Sequence, residues 1–298
     1  MRFYHFLAAL TLSSSLTPLL AQPAPAPVSA LVDKMHFAYE QFRLANGLRV
    51  IVHSDQKAPV VSVAIWYHIG SKDEPAGRSG FAHLFEHLMF AGSEHAKGSV
   101  IQQMESLGAT DLNGSTWFDR TNYYETVPVG SLDRALFIES DRMGYLLGGV
   151  PQSTLDLQRS VVQNEKRGDD NEPYGMVQYA EEDGLFPTPG NPYGHTTIGS
   201  MADLDHASLE DVRAWFREHY GPNNAVLVLS GDIDLATARA KAERWFGSIK
   251  GAPAVIHPQA PIPTLPAPKL ITLTDRVATT RVSRFWTVPG VTTADNVD

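Results

Sequence analysis

Apolar and polar positions change period several times along this chain, and each change marks an element. Phe42-Arg43-Leu44 and the run Leu48 to Val52 flank Asn46-Gly47, and Asn-Gly between two apolar runs is the strongest short signal for a hairpin. Val60 to Ile69 alternates and is rich in β-branched and aromatic residues, which predicts a third strand. Gly70 to Gly80 is a polar loop that leads into an amphipathic helix beginning near Phe81. A short helix near Val100 to Leu107 follows, and then Thr110 to Phe118 and Asn122 to Val127 predict two adjacent strands. Helical periods return over Leu132 to Leu147 and Thr154 to Arg167. Glu172 to Tyr193 has no long periodic run and holds Pro173, Pro187, Pro189 and Pro192, which predicts a folded but irregular region. Ser208-Leu209-Glu210-Asp211 reads as a capping box opening a helix to about His219. Ala225 to Leu229 is a buried type of strand, and Leu235 to Phe246 a closing helix. The expected fold is α+β, an antiparallel-rich mixed sheet flanked by helices.

The pattern also divides the chain. Residues 37–250 form one lobe. Residues 251–268 carry six prolines and read as an extended linker. Beyond it Lys269 to Thr274 and Arg281 to Val288 predict strands, so 269–298 reads as the truncated start of a second, similar lobe. At the other end, Arg2 precedes an apolar run from Phe6 to Leu20 and a small residue, Ala21. That is the layout of an export signal over residues 1–21 with cleavage near Ala21, followed by a Pro/Ala-rich leader over 22–36. The run contains three serines and Pro18 and is shorter than the ~20 apolar residues a membrane span needs. A periplasmic or secreted protein with no stable span after signal removal is therefore expected.

Composition narrows the chemistry. A formal net charge of −9 argues against a nucleic-acid partner, which would call for a basic stripe. The absence of cysteine excludes a thiol nucleophile, thiolate ligands and disulfides. Any metal must therefore be held by histidine and carboxylate side chains.

Such a set is present in His83-Leu84-Phe85-Glu86-His87. At about 100° per residue, His87 lies about 40° round from His83 and Glu86 about 60° the other way, so the three share a sector. Phe81, Leu84, Phe85, Leu88 and Met89 supply the apolar remainder of the helix. His-x-x-Glu-His is the inverzincin pattern. A catalytic zinc takes three protein ligands and keeps one position open for water. The third ligand must come from elsewhere, and Glu165, Asp169, Asp170, Glu172, Glu181 and Glu182 are all available. Glu165 has the advantage of a place on a helix. His53, His68, His195, His206 and His219 lack ligand partners at short spacing and read as surface or packed residues.

His83-Leu84-Phe85-Glu86-His87 with Asn164-Glu165 far downstream resembles the insulinase/pitrilysin family of zinc metallopeptidases, which includes the mitochondrial processing peptidases. Gly108 to Thr116 with Asp119, Thr121 and Tyr123 is similar to that family's substrate-strand region. Asn191 to His195, Ile198-Gly199, His219-Tyr220 and Asn224 to Asp232 are similar to its later blocks. The resemblance implies one zinc per chain held by His83, His87 and Glu165, with Glu86 as general base for a water nucleophile. It also implies a clam-shell of repeated lobes, in one chain or as paired subunits. Where some members carry a second acidic residue two turns before the ligand, this chain has Gln158. Asn113, Gly114 and Ser115 are candidates for an edge strand that pairs with an extended peptide.

The function expected is a zinc metalloendopeptidase acting on peptides or small unfolded proteins. The alternative is a non-catalytic or incomplete family subunit that binds substrate and needs a homo- or hetero-oligomeric partner or further lobes. A carboxylate-histidine oxidase requires repeated Glu-x-x-His helices, and a serine hydrolase a Gly-x-Ser-x-Gly elbow; neither occurs.

Overall fold

Six strands hydrogen-bond into one sheet in the order β1-β2-β6-β3-β5-β4. They are β1 (Glu40–Arg43), β2 (Arg49–Ser54), β3 (Val60–Tyr67), β4 (Thr110–Thr116), β5 (Thr121–Pro128) and β6 (Ala225–Gly231). The computed structural model describes residues 38–187 and 190–290, so the export segment 1–21 and the leader 22–36 lie outside the described residues. Only the β2–β6 pairing is parallel, and the rest are antiparallel. The Asn46-Gly47 hairpin forms as expected, with Gly47 at φ 96°. Asn46 also anchors it, since its amide donates to the carbonyls of Phe246 and Ile249 at 2.7 and 3.0 Å.

Alternation along β3 separates the two faces. Val61, Val63, Ile65 and Tyr67 are buried, while Val60, Ser62 and Ala64 are partly exposed and Trp66 is exposed. The buried face joins a single core with Leu84, Phe85, Leu136, Val162, Trp215 and Phe246, all from helices. Those helices are α1 (Phe81–Met89), α2 (Val100–Ser106), α3 (Leu132–Tyr145), α4 (Gln152–Asn171), α5 (Val177–Leu185), α6 (Met201–His206), α7 (Leu209–His219) and α8 (Leu235–Phe246). The α+β, antiparallel-rich mixed sheet flanked by helices is thus the observed architecture.

Three local expectations are corrected. The region 172–193 is not irregular throughout, because α5 forms between Pro173 and Pro187; the prolines bound a short helix instead of preventing one. β4 ends at Thr116, and its irregularity lies between Thr110 and Asn113, where Asp111 takes φ 52°. Lys269–Thr274 and Arg281–Val288 form no strand. Their side chains alternate, but no neighbouring backbone among the described residues pairs with them, and a strand is not stable without a partner. Leu270, Val282 and Trp286 are consequently left in solvent. The proline-rich segment is without regular structure and is pinned to the lobe: Asn223 exchanges two hydrogen bonds with Ala252, and His257 Nδ1 lies 2.7 Å from Asp73.

The start of α1 is fixed from outside the helix. Glu74, whose side chain is fully buried, accepts from the N–H groups of Gly80 and Ala82 at 3.0 and 2.7 Å. A carboxyl there satisfies first-turn donors, which oppose the upward push that burial gives its pKa. Gly80 sits at φ 88°, and a Cβ on it would lie 2.4 Å from the carbonyl oxygen of Ile198. Gly80→Ala is therefore expected to destabilise the chain by at least about 2 kcal/mol through left-handed backbone strain and a backbone clash. Chemical denaturation measures this, and an unchanged midpoint contradicts the close approach.

Candidate metal centre

Two helices and one strand supply the site. α1 presents His83 and His87 one turn apart, with ring centroids 4.9 Å apart and planes at 85°. α4 brings Glu165 opposite them: its Oε2 lies 3.3 Å from His87 Nε2 and 3.8 Å from His83 Nε2. One ligand atom from each of the three residues falls within 4.8 Å of the others, and this is the only such group among the described residues. Burial, reinforced by the neighbouring His87, pulls the His83 imidazole down to about pKa 4, so it is neutral at physiological pH. A neutral imidazole has the free lone pair that a metal needs. Two imidazole nitrogens and one carboxylate oxygen converging within 4.8 Å fit the donor set of a catalytic zinc site.

Glu86 is placed differently from its neighbours in the motif. It is only 8% exposed and lies between α1 and β4. Thr116 donates its hydroxyl to Glu86 Oε2 at 2.5 Å. On the other side the β4 backbone comes so close that a Cβ on Gly114 would lie 3.2 Å from Glu86 Oε1 and 2.9 Å from the Phe90 ring. Burial pushes the Glu86 carboxyl up to about pKa 7; the Thr116 hydrogen bond opposes this, Glu165 adds to it and Arg120 opposes it. A carboxyl near neutrality is matched to proton transfer at physiological pH.

The structure thus brings His83, His87 and Glu165 together, with Glu86 beside them. Asp169, Asp170, Glu172, Glu181 and Glu182 do not join the group, nor do His53, His68, His195, His206 or His219. Of the three β4 candidates, Gly114 faces Glu86. Asn113 and Ser115 alternate to the opposite face of the sheet, where Asn113 is exposed. Thr116, one pleat period beyond Gly114, was given no role by the motif reading. The signal was available: residues two apart on a strand share a face, so a strand placing Gly114 against Glu86 also places Thr116 there.

β4 is the last strand of the sheet. Trp117 N–H donates to the Arg120 carbonyl across the hairpin at 2.8 Å. By the alternation of an antiparallel ladder, the N–H and C=O of Thr116 and Gly114 then face the open edge. In keeping with this, Gly114 N–H donates to the Asn113 side chain at 2.9 Å and not to β5.

Two histidines and a glutamate converging beside a separate, buried carboxylate are the parts of a metallohydrolase centre. Residues 49–165 match the profile described as "Insulinase (Peptidase family M16)", and residues 206–298 that of "Peptidase M16 inactive domain". The chain is 31% identical over 216 residues to the zinc protease PqqE of Helicobacter pylori, covering 71% of this chain and 47% of that protein. The fold is similar to a crystal structure of a protease from Helicobacter pylori, at TM-score 0.69 and 29% identity, covering 76% of this chain and 54% of that one. It is also similar to the periplasmic protease PqqL from Escherichia coli, at TM-score 0.66 and 25% identity, covering 74% of this chain and 25% of that one. The chain belongs to peptidase family M16, the insulinase family. It spans about half the length of the curated relatives it matches.

The raised Glu86 pKa carries a pH signature in the metal-free chain. Because the folded value lies above the unfolded one, the stability this group contributes is complete below its unfolded value of 4.5 and is lost as pH rises through about 7. The loss amounts to about 3 kcal/mol at pH 8. In urea melts of chelator-treated protein, Glu86→Gln is expected to be the more stable chain at pH 8 and nearly equal to wild type at pH 4.5. An equal difference at both pH values contradicts a buried, neutral-prone carboxyl.

Proposed function

We propose that this chain is the catalytic lobe of an exported zinc metalloendopeptidase that hydrolyses peptide bonds in peptides or small unfolded proteins. The observation that carries this reading is the convergence of His83, His87 and Glu165 within 4.8 Å, with Glu86 held apart from them against the edge strand. In this reading residues 37–250 are the zinc lobe, 251–268 a linker, and 269–298 the start of a second lobe. The chain's partners are its peptide substrate and further family lobes, supplied in one longer protein or by a homo- or hetero-oligomeric subunit. The apolar segment after Arg2 and the likeness to a protease described as periplasmic support a periplasmic or secreted location. No helix among the described residues is long and apolar enough to cross a membrane.

Zinc bound by His83, His87 and Glu165 supplies a Lewis acid that polarises the scissile carbonyl and acidifies water. Glu86 takes the proton of the attacking water at Oε1, since Oε2 is engaged by Thr116, and passes it to the leaving amide nitrogen. Thr116 is a positioning residue that fixes the rotation of the carboxyl group. The substrate adds as a strand to β4, through the backbone groups of Gly114 and Thr116, so that its scissile bond passes over Glu86. A Cβ at position 114 would press on the Phe90 ring and on Glu86 Oε1, so glycine lets that strand lie close to both. The retained base and ligand set favours this reading over a non-catalytic subunit.

Two measurements on the purified chain test it. Metal analysis is expected to find one zinc per wild-type chain and per Glu86→Gln chain, and little in His87→Ala or Glu165→Gln. Hydrolysis of an unstructured peptide by Glu86→Gln is expected to fall by about a thousandfold. Full activity in Glu86→Gln contradicts the base assignment, and stoichiometric zinc in His87→Ala contradicts the ligand set.

A further inference from the structure

Arg120 occupies the face of the sheet opposite the metal site, at the same end of the edge strand. Its Nη1 donates to the Ser115 carbonyl at 2.8 Å, to the Ser115 hydroxyl, and to Asn122 Oδ1 at 2.7 Å. Its guanidinium lies 5.4 Å from the centre of the Trp66 ring. Trp66, Asn122 and Ser115 are register partners across β3, β5 and β4, so the four side chains form one row that ends at the open edge. No carboxylate among the described residues lies within ion-pair distance of Arg120, and Glu86 acts on it only at longer range. The adjacent Asp119 is instead engaged by Lys72 and by the Tyr193 hydroxyl. The charge is only partly exposed, and its Nη1 donors hold two strands together, so its position is fixed before any ligand arrives.

On the proposed reading that substrate pairs with β4, one substrate residue must lie directly opposite Ser115. The backbone groups of Ser115 face β5, so that pair is of the non-hydrogen-bonded kind, which brings the opposing side chains closest. Its side chain projects to the face that carries Arg120 and Trp66, away from the metal. The guanidinium offers it a fixed donor fork, and the indole two strands further in backs the guanidinium.

We propose that Arg120, backed by Trp66, is a specificity-determining residue that selects an acidic side chain in the substrate residue paired opposite Ser115. Glutamate fits best, because its longer side chain can carry the carboxylate across Ser115 to the free nitrogens of Arg120. A lysine at the same position brings like charges together and is disfavoured.

The test is peptide binding to the zinc-loaded full chain carrying Glu86→Gln, read by fluorescence anisotropy. The probes are short labelled peptides of neutral sequence with Glu, Ala or Lys placed at each position in turn. One position is expected at which Glu binds about tenfold more tightly than Lys. Arg120→Glu is expected to invert that preference at the same position, and Arg120→Lys to keep its sign with a smaller ratio. Zinc content of each variant shows that the lobe is folded, and Arg120→Lys decides the matter if Arg120→Glu does not fold. Equal binding of Glu and Lys peptides at every position, or a preference that survives charge reversal, overturns the assignment of Arg120 and leaves the edge-strand reading standing. Failure of every peptide to bind the zinc-loaded chain overturns the edge-strand reading and the acidic preference together.

Discussion

Everything at this site depends on how α1 is seated. Phe81, Leu84, Phe85, Leu88 and Met89 are buried in the common core, and burying five such side chains is worth on the order of 10 kcal/mol in transfer free energy. That burial leaves the helix no freedom to rotate about its axis. With the rotation fixed, His83 and His87 must face α4, and Glu86 must face β4. The Glu74 cap fixes the remaining degree of freedom, sliding along the axis, by binding the first-turn N–H groups. One rigid helix therefore turns the histidine pair and the Glu86 carboxyl to neighbouring surfaces, as the proposed metal and proton-transfer roles require.

The electrostatic consequences follow from depth. A carboxyl as buried as Glu86 is penalised when charged, and the Thr116 hydroxyl offsets only part of the penalty, because one hydrogen bond to a charged group is worth about 1.5–3 kcal/mol. Glu165, which is more exposed, adds repulsion against the charged form of Glu86. In the proposed reading, a divalent metal held by the two imidazoles and Glu165 would favour the charged form of Glu86, linking metal binding to its deprotonation.

Much of this was legible in the sequence. The His-x-x-Glu-His period fixed the histidine pair, Asn46-Gly47 fixed the hairpin, and Ser208 to Asp211 form the capping box that their spacing announces. Glu165 was open among six acidic residues by spacing alone, since choosing it requires knowing that α4 crosses α1. Glu86 reads as part of a polar stripe, but its burial comes from β4, a partner that helical periodicity does not report. Thr116 was within reach of the strand period, because it shares a face with Gly114 two residues before it. The C-terminal strands were over-read, because alternation signals a capacity for pairing and the pairing itself needs another strand.

The central claim is that three side chains from two helices hold one zinc while Glu86 stands outside the coordination shell. Anomalous diffraction at the zinc edge from crystals of the wild-type chain tests it most directly. A single anomalous peak is expected at about 2.0–2.2 Å from His83 Nε2, His87 Nε2 and a Glu165 carboxylate oxygen, with both Glu86 oxygens beyond bonding distance. A peak bonded to Glu86, or one that lacks Glu165, contradicts the account.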